Sequence, residues 1–139
     1  MHDPSCIFCK ILAGSIPSSR VYEDADAVAF LDIAPFEKGH ALVIPRYHAE
    51  RIVDLPEDRL TRLIPAVSKV GSMLLDRLPC DGFNLLQSNG ACATQVVPHV
   101  HFHVIPRWNG RAMRWIPGRY DSPDEMDALA RRLRGERRA

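Results

Sequence analysis

The sequence predicts an α+β fold, an antiparallel sheet with one long helix packed on it, a short N-terminal helix and a C-terminal helix. Two observations carry this. Short apolar runs bounded by turn residues follow one another without intervening helices, and a single long amphipathic stretch, Leu55–Pro79, separates the early runs from the late ones. A chain of 139 residues is expected to form one domain around one core.

The elements follow in order. "CIFCKILAG" places apolar residues at Ile7, Phe8, Ile11 and Leu12 and then Gly14, a short helix ended by glycine. "RVYEDADAVAFLDI" is two apolar runs around an acidic turn at Asp24–Asp26, a hairpin. "GHALVIPRYH" is a strand, with Gly39 before it and Pro45 closing it. In "LPEDRLTRLIPAVSKVGSMLLDRLP", Pro56 suits a first helical position, and Pro65 removes a backbone bond and is expected to kink or split the helix. "DGFNLLQSNG" is a strand entering a turn at Asn89 and Gly90. "HVHFHVIPR", His99–Arg107, is the last strand. "SPDEMDALARRLRGERR" starts as a capped helix, with Ser122 as cap, Pro123 in the first turn and Glu125 three residues on.

Composition narrows the function. Hydrophobic residues make up 46% and charged residues 25%, with a net charge of +1, so no strong field recruits nucleic acid or membrane. The basic tail "ARRLRGERR" suits the C-terminal end of a helix dipole and is too little for nucleic-acid binding. The start, "MHDPSCIFCK", lacks a basic segment followed by a long apolar run, and no later window is apolar enough to span a bilayer. The expected compartment is the cytoplasm, where the four cysteines stay reduced as free thiols or metal ligands.

The chemistry concentrates in "HVHFHVIPR", which holds three of the six histidines at every second position. Alternation along a strand puts His99, His101 and His103 on one face and Val100, Phe102 and Val104 on the other. The apolar set is expected under the long helix, and the histidines are expected to line a surface, about 6–7 Å apart. Imidazole can attack, donate or bind metal near neutral pH, and neighbours at that spacing can do different jobs around one small anion.

A second cluster is "CIFC". Its two-residue spacer lets Cys6 and Cys9 share one metal, although a redox pair or two core thiols would read the same way. His48 ends one strand and His99 begins another, and two sulfurs with two imidazoles would complete a closed tetrahedral zinc site.

"HVHFHV" has the form H-φ-H-φ-H-φ, where φ is apolar, and resembles the histidine triad (HIT) superfamily of nucleotidyl hydrolases and transferases. "CIFCKI", "FLDIAPFEKGHALVIPRYH", "NGACATQVVPHVHFHVIPR" and "GRAMRWIPG" are similar to HIT segments in the usual order. The resemblance covers a core of about residues 4–118 and leaves 119–139 as a helical extension of one HIT domain. The paired cysteines and "RAMRW" lean toward the Hint-like branch.

The resemblance implies roles. His101 would be the nucleophile at the α-phosphorus, giving a covalent nucleotidyl-histidine that water then cleaves. His103 would hydrogen-bond the phosphate and stabilise its charge. Cys6, Cys9, His48 and His99 would hold a structural zinc with no position left for substrate. Asp32 would bind the ribose hydroxyls, although without the resemblance it reads first as a turn aspartate before Pro35. Ile7, Phe8, Phe30, Ile33 and Leu42 would surround the base, although without the resemblance each reads first as core. Gln95, Val96 and Val97 would lie beside the phosphate and contribute backbone N–H groups.

Three positions depart from the family pattern. Ser88 stands where Asn or Gln is frequent, in a position that helps place the phosphate, leaving group or water. Val96 stands where Ser or Thr is frequent, and Thr94 replaces a glycine. Cys80 and Cys92 read as ordinary thiols, and His40 reads either as a partner of the triad or as a satisfied strand histidine.

The expected function is hydrolysis or nucleotidyl transfer on purine nucleotides, such as nucleoside phosphoramidates. The alternatives are a dinucleoside polyphosphate hydrolase and a zinc-stabilised nucleotide-binding module acting through a partner. The family likeness also implies a homodimer, with Trp115 and the segment after it approaching the partner's active site.

Overall fold

The computed structural model describes residues 2–136. Five strands form one antiparallel sheet in the order β1-β2-β3-β5-β4: β1 Arg20–Glu23, β2 Ala27–Leu31, β3 Ala41–Pro45, β4 Gly82–Leu86 and β5 Phe102–Arg107. Three helices accompany it: α1 Ile7–Leu12, α2 Glu57–Arg77 and α3 Pro123–Leu133. The α+β architecture expected from the sequence is the one observed.

The two faces of the sheet bury different sets. Ala27, Ala29, Leu31, Ala41, Val43 and Val104 face α2, which contributes Leu63, Ala66, Val67, Val70 and Leu74. Each fully buried valine or leucine adds roughly 1.5–3 kcal/mol. α2 meets β4 closely at Gly71, where an added Cβ would lie 2.4 Å from the Phe83 ring. The opposite face presents Val28, Phe30, Leu42 and Ile44 to Phe8, Cys9 and Ile11 of α1. α1 is therefore the lid of a second, smaller core, beside which the candidate site lies.

Local signals act as their chemistry requires. Asp24 Oδ1 accepts the amides of Asp26 (2.7 Å) and Ala27 (2.8 Å), which closes the β1–β2 turn. The Ser122 hydroxyl accepts the Glu125 amide at the start of α3. Gly14, at φ +80°, follows α1 in the left-handed conformation.

Three expectations need correction. α2 is one continuous helix across Pro65. The expected split is therefore absent: Pro65 lies on the exposed side, and Leu63, Ala66 and Val67 hold the apolar side to the sheet. The last strand starts at Phe102, because the chain bends at Val97–His99 (His99 N–H to Val97 O, 2.9 Å) before Val100 N–H reaches Ala49 O at 2.8 Å. The C-terminal helix ends at Leu133, and Arg137 and Arg138 of the predicted helix lie outside the described residues.

The basic tail is spent on backbone. Arg132 donates to the carbonyls of Arg77 (3.0 Å) and Leu78 (2.6 Å), Arg77 to that of Leu133 (2.7 Å), and Arg134 to that of Arg20. These arginines lock the ends of α2 and α3 together and to β1. No helix among the described residues is long and apolar enough to cross a membrane.

Candidate active site and metal centre

The paired cysteines are brought together by a helix start. Cys6 is the N-cap of α1 and its sulfur accepts the amide of Cys9, 3.4 Å away, so both thiols project from the first turn to the same side. His48 follows β3 and His99 precedes β5, and the strands deliver both rings to those thiols. Cys6 Sγ lies 3.4 Å from His99 Nδ1, and Cys9 Sγ lies 3.4 Å from His48 Nδ1 and 3.7 Å from His99 Nδ1. The two Nδ1 atoms are 3.1 Å apart.

These spacings fit a metal. Tetrahedral zinc, with bonds of about 2.3 Å to sulfur and about 2.05 Å to nitrogen, sets S and N about 3.5 Å apart and two nitrogens about 3.3 Å apart. His99 Nε2–H donates to the Pro45 carbonyl at 3.0 Å, which leaves Nδ1 bare on the side of the thiols. Burial holds the His99 imidazole down at about 4, in the neutral form a metal needs. Burial also pushes the Cys9 thiol up, so a thiolate there calls for a cation. Cys6, Cys9, His48 and His99 together can bind a metal ion.

The other histidines lie beside this centre. His101 donates Nδ1–H to the His99 carbonyl at 2.7 Å, which leaves its Nε2 with the lone pair. Its ring is edge-on to Phe8 (centroids 5.1 Å) and to His103 (4.9 Å). His103 sits on β5 opposite Leu42, and its Nδ1 is 2.9 Å from His40 Nε2.

A backbone amide settles the tautomers. Phe36 N–H donates to His40 Nδ1 (3.1 Å), so the proton of neutral His40 is on Nε2. That proton donates to His103 Nδ1, so the proton of neutral His103 is on its own Nε2. Burial keeps both rings neutral, His40 at about 4 and His103 at about 3. His101 is likewise lowered by burial. His101 thus offers a lone pair and His103 a donor, each on Nε2.

Asp32, His40 and His103 also bring one ligand atom each within 4.8 Å of one another. The Phe36 amide argues against an ion there, since a metal on His40 Nε2 would displace a proton that Nδ1 cannot accept. His40 is therefore a partner of the triad.

The expected open histidine surface is corrected. His99, His101 and His40 are buried and His103 is half-buried, because α1 and the Phe36 loop cover that face of the sheet. The remaining predicted residues divide. Asp32 makes its turn with Oδ1, which accepts Ala34 N–H at 2.9 Å, and its Oδ2 lies 3.8 Å from His40 Nε2. Phe8, Phe30 and Leu42 are core, whereas Ile7 is exposed and Ile33 is 77% exposed. Ser88 is buried. Gln95 is consumed internally: its amide goes to Gly90 O, and its side chain bonds Gly90 N–H, Glu50 O and Val97 O. The expectation that it offers a backbone N–H to a phosphate is therefore corrected. Val96 is 89% exposed, Val97 packs on the smaller core, and neither amide has an acceptor among the described residues. Cys92 is exposed in a single 3-10 turn, Ala91–Ala93, and Thr94 follows it in the left-handed conformation at φ +69°.

Phe36 and Arg107 escaped the sequence reading. A backbone N–H contact carries no signature of residue type, and an arginine after "HVIP" reads as a strand end.

The HIT domain family model matches residues 13–110. The adenosine 5′-monophosphoramidase of Schizosaccharomyces pombe is 44% identical over 132 residues, 93% of this chain and 96% of that protein. A HIT-like protein from Bartonella henselae superposes with a TM-score of 0.87 at 35% identity, covering 97% of this chain and 98% of the other. A zinc-bound histidine triad family protein from Mycobacterium smegmatis superposes with a TM-score of 0.85 at 34% identity, covering 94% and 91%.

Proposed function

The chain belongs to the HIT domain family, and from that premise we propose that it is a hydrolase acting at the α-phosphate of purine nucleotides, with nucleoside 5′-phosphoramidates as its substrate class. The observation that carries the reading is the opposed tautomers of His101 and His103, a bare Nε2 beside an Nε2–H. The kinship with an adenosine 5′-monophosphoramidase over nearly the whole chain supports the same chemistry.

In the first step His101 Nε2 attacks the α-phosphorus, and its lone pair becomes the new N–P bond. The P–N bond of the substrate breaks, and its pair leaves on the amine, which takes up a proton. The imidazole becomes cationic, and the His99 carbonyl at 2.7 Å stabilises the Nδ1–H of that cation. His103 Nε2–H donates to a phosphate oxygen where negative charge gathers. In the second step water attacks phosphorus and loses a proton to solvent, the Nε2–P bond breaks with its pair returning to Nε2, and the nucleoside monophosphate leaves, restoring neutral His101.

Asp32 Oδ2 accepts the ribose hydroxyls, with the exposed Ile7 and Ile33 flanking the base. The free amides of Val96 and Val97 face the phosphate. Ser88, where a longer amide is frequent, tunes the leaving-group preference. Cys6, Cys9, His48 and His99 hold a structural zinc, which supplies no chemistry to the reaction and anchors α1 to the histidine loop. The active form is a homodimer in the cytoplasm, a compartment that suits four unpaired cysteines.

Measuring kcat/KM on an adenosine phosphoramidate and on diadenosine polyphosphates tests the reading. A clear preference for the phosphoramidate is expected. Preference for the dinucleotide would make the protein a polyphosphate hydrolase, and no turnover of either would leave a binding module.

A further inference from the structure

We propose that Arg107 is a positioning residue for the catalytic pair, holding the Trp115–Phe36 cover over His40 and through it the orientation of His103. The inference rests on the reading of His101 and His103 given above.

Along β5, His103, Ile105 and Arg107 share a face. Arg107 pairs with Gly82 of the edge strand, so no side chain opposes it there and its guanidinium is free to turn onto the cover. Its Nε donates to Asn84 Oδ1 at 2.8 Å and its Nη1 to the Arg114 carbonyl at 2.9 Å. The planar group stacks on Trp115, 4.7 Å from the ring centroid. Two hydrogen bonds in a fork and a stacked face fix the start of the 108–118 segment in a way a lysine cannot reproduce. Gly118 N–H ties the far end to the Pro35 carbonyl at 2.8 Å.

From Trp115 the contacts run unbroken to the chemistry. Trp115 is edge-on to Phe36 (5.9 Å), and Phe36 packs at a tilt on His40 (5.1 Å) while its amide fixes the His40 tautomer. His40 in turn fixes His103, whose ring lies 4.9 Å from that of His101. Arg107 is half-buried, its hydrogen-bond partners are neutral, and its Nη2 is buried with no acceptor among the described residues. Burial chiefly disfavours protonation of His40; the Asp32 carboxylate opposes this, and the Arg107 charge acts with burial to a lesser extent.

The test compares R107K, R107Q and Trp115→Leu with wild type as full-length, zinc-loaded protein. Zinc content and thermal midpoint report folding, steady-state kinetics separate kcat from KM, and ¹⁵N spectra of the imidazoles report the tautomers of His40 and His103. All three variants are expected to keep zinc and KM. They are expected to lose about tenfold to 10² in kcat, the scale of a misplaced catalytic group, with a mixed tautomer at His40 and His103. R107K is expected to fall with R107Q. Unchanged kcat, or lost kcat with wild-type tautomers, would overturn the proposal. So would losses that only track zinc content. If the Arg107 variants do not fold, Trp115→Leu decides alone, since that ring is half exposed. Absence of turnover in the wild type would sink the functional reading and leave the tautomer comparison as the test of Arg107.

Discussion

His101 donates its Nδ1–H to the backbone carbonyl of His99, 2.7 Å away. His99 thus turns its side chain toward the candidate metal site and its carbonyl toward the proposed nucleophile. The proposal therefore couples the two at His99.

The coupling predicts what loss of a ligand does. Cys9→Ser should lower zinc content from one ion per chain. It should also lower the thermal midpoint by roughly 10 °C, at about 3 °C per kcal/mol for a chain of this size. Elemental analysis and calorimetry read both. Undiminished stability in metal-free protein would count against a structural zinc.

Asp32 makes its turn with Oδ1 and, in the proposal, binds ribose with Oδ2. Asp32→Ala should weaken binding of a nucleoside monophosphate, and the loss should be much smaller for its 2′,3′-dideoxy analogue. Isothermal titration with both ligands separates the roles, and equal losses would reduce Asp32 to the turn it makes with Ala34.

His103 and His99 should fail differently although they lie four residues apart. His103→Ala removes the proposed donor to the phosphate, so kcat should fall on the order of 10²–10³ with zinc retained. His99→Ala should lose zinc and stability first. Measuring metal content beside kcat for both variants distinguishes them, and parallel losses would contradict the division of labour.

Stability should depend on pH in a defined direction. His40 is held at about 4 and His103 at about 3, each chiefly by burial, against about 6.5 in an unfolded chain. Between these values the unfolded state binds more protons, so their contribution is complete above about pH 6.5 and is lost as the pH falls toward 3. Urea midpoints should be lower at pH 5 than at pH 7.5, and an equal or higher midpoint at pH 5 would refute the assignment.

What was legible in the sequence was what alternation and spacing encode. The period of two in "HVHFHV" put Val100 and Val104 in the core and the histidines on the other side, and "CIFC" announced its partners His48 and His99. The covering of that face was not legible, because it depends on α1 and the Phe36 loop folding back over it. Pro65 misled because the local rule ignores the packing of Leu63 and Val67. Gln95 was assigned to a ligand loop, and only coordinates could reveal that it latches that loop to Glu50 and Gly90.

The central claim is that His101 is a covalent nucleophile, and trapping the intermediate tests it most directly. Rapid-quench mass spectrometry of wild type turning over an adenosine phosphoramidate should find a nucleoside monophosphate adduct on the peptide carrying His101. His101→Ala should bind nucleotide and show neither adduct nor turnover. Substantial turnover by His101→Ala, with no adduct on the wild-type peptide, would contradict the account.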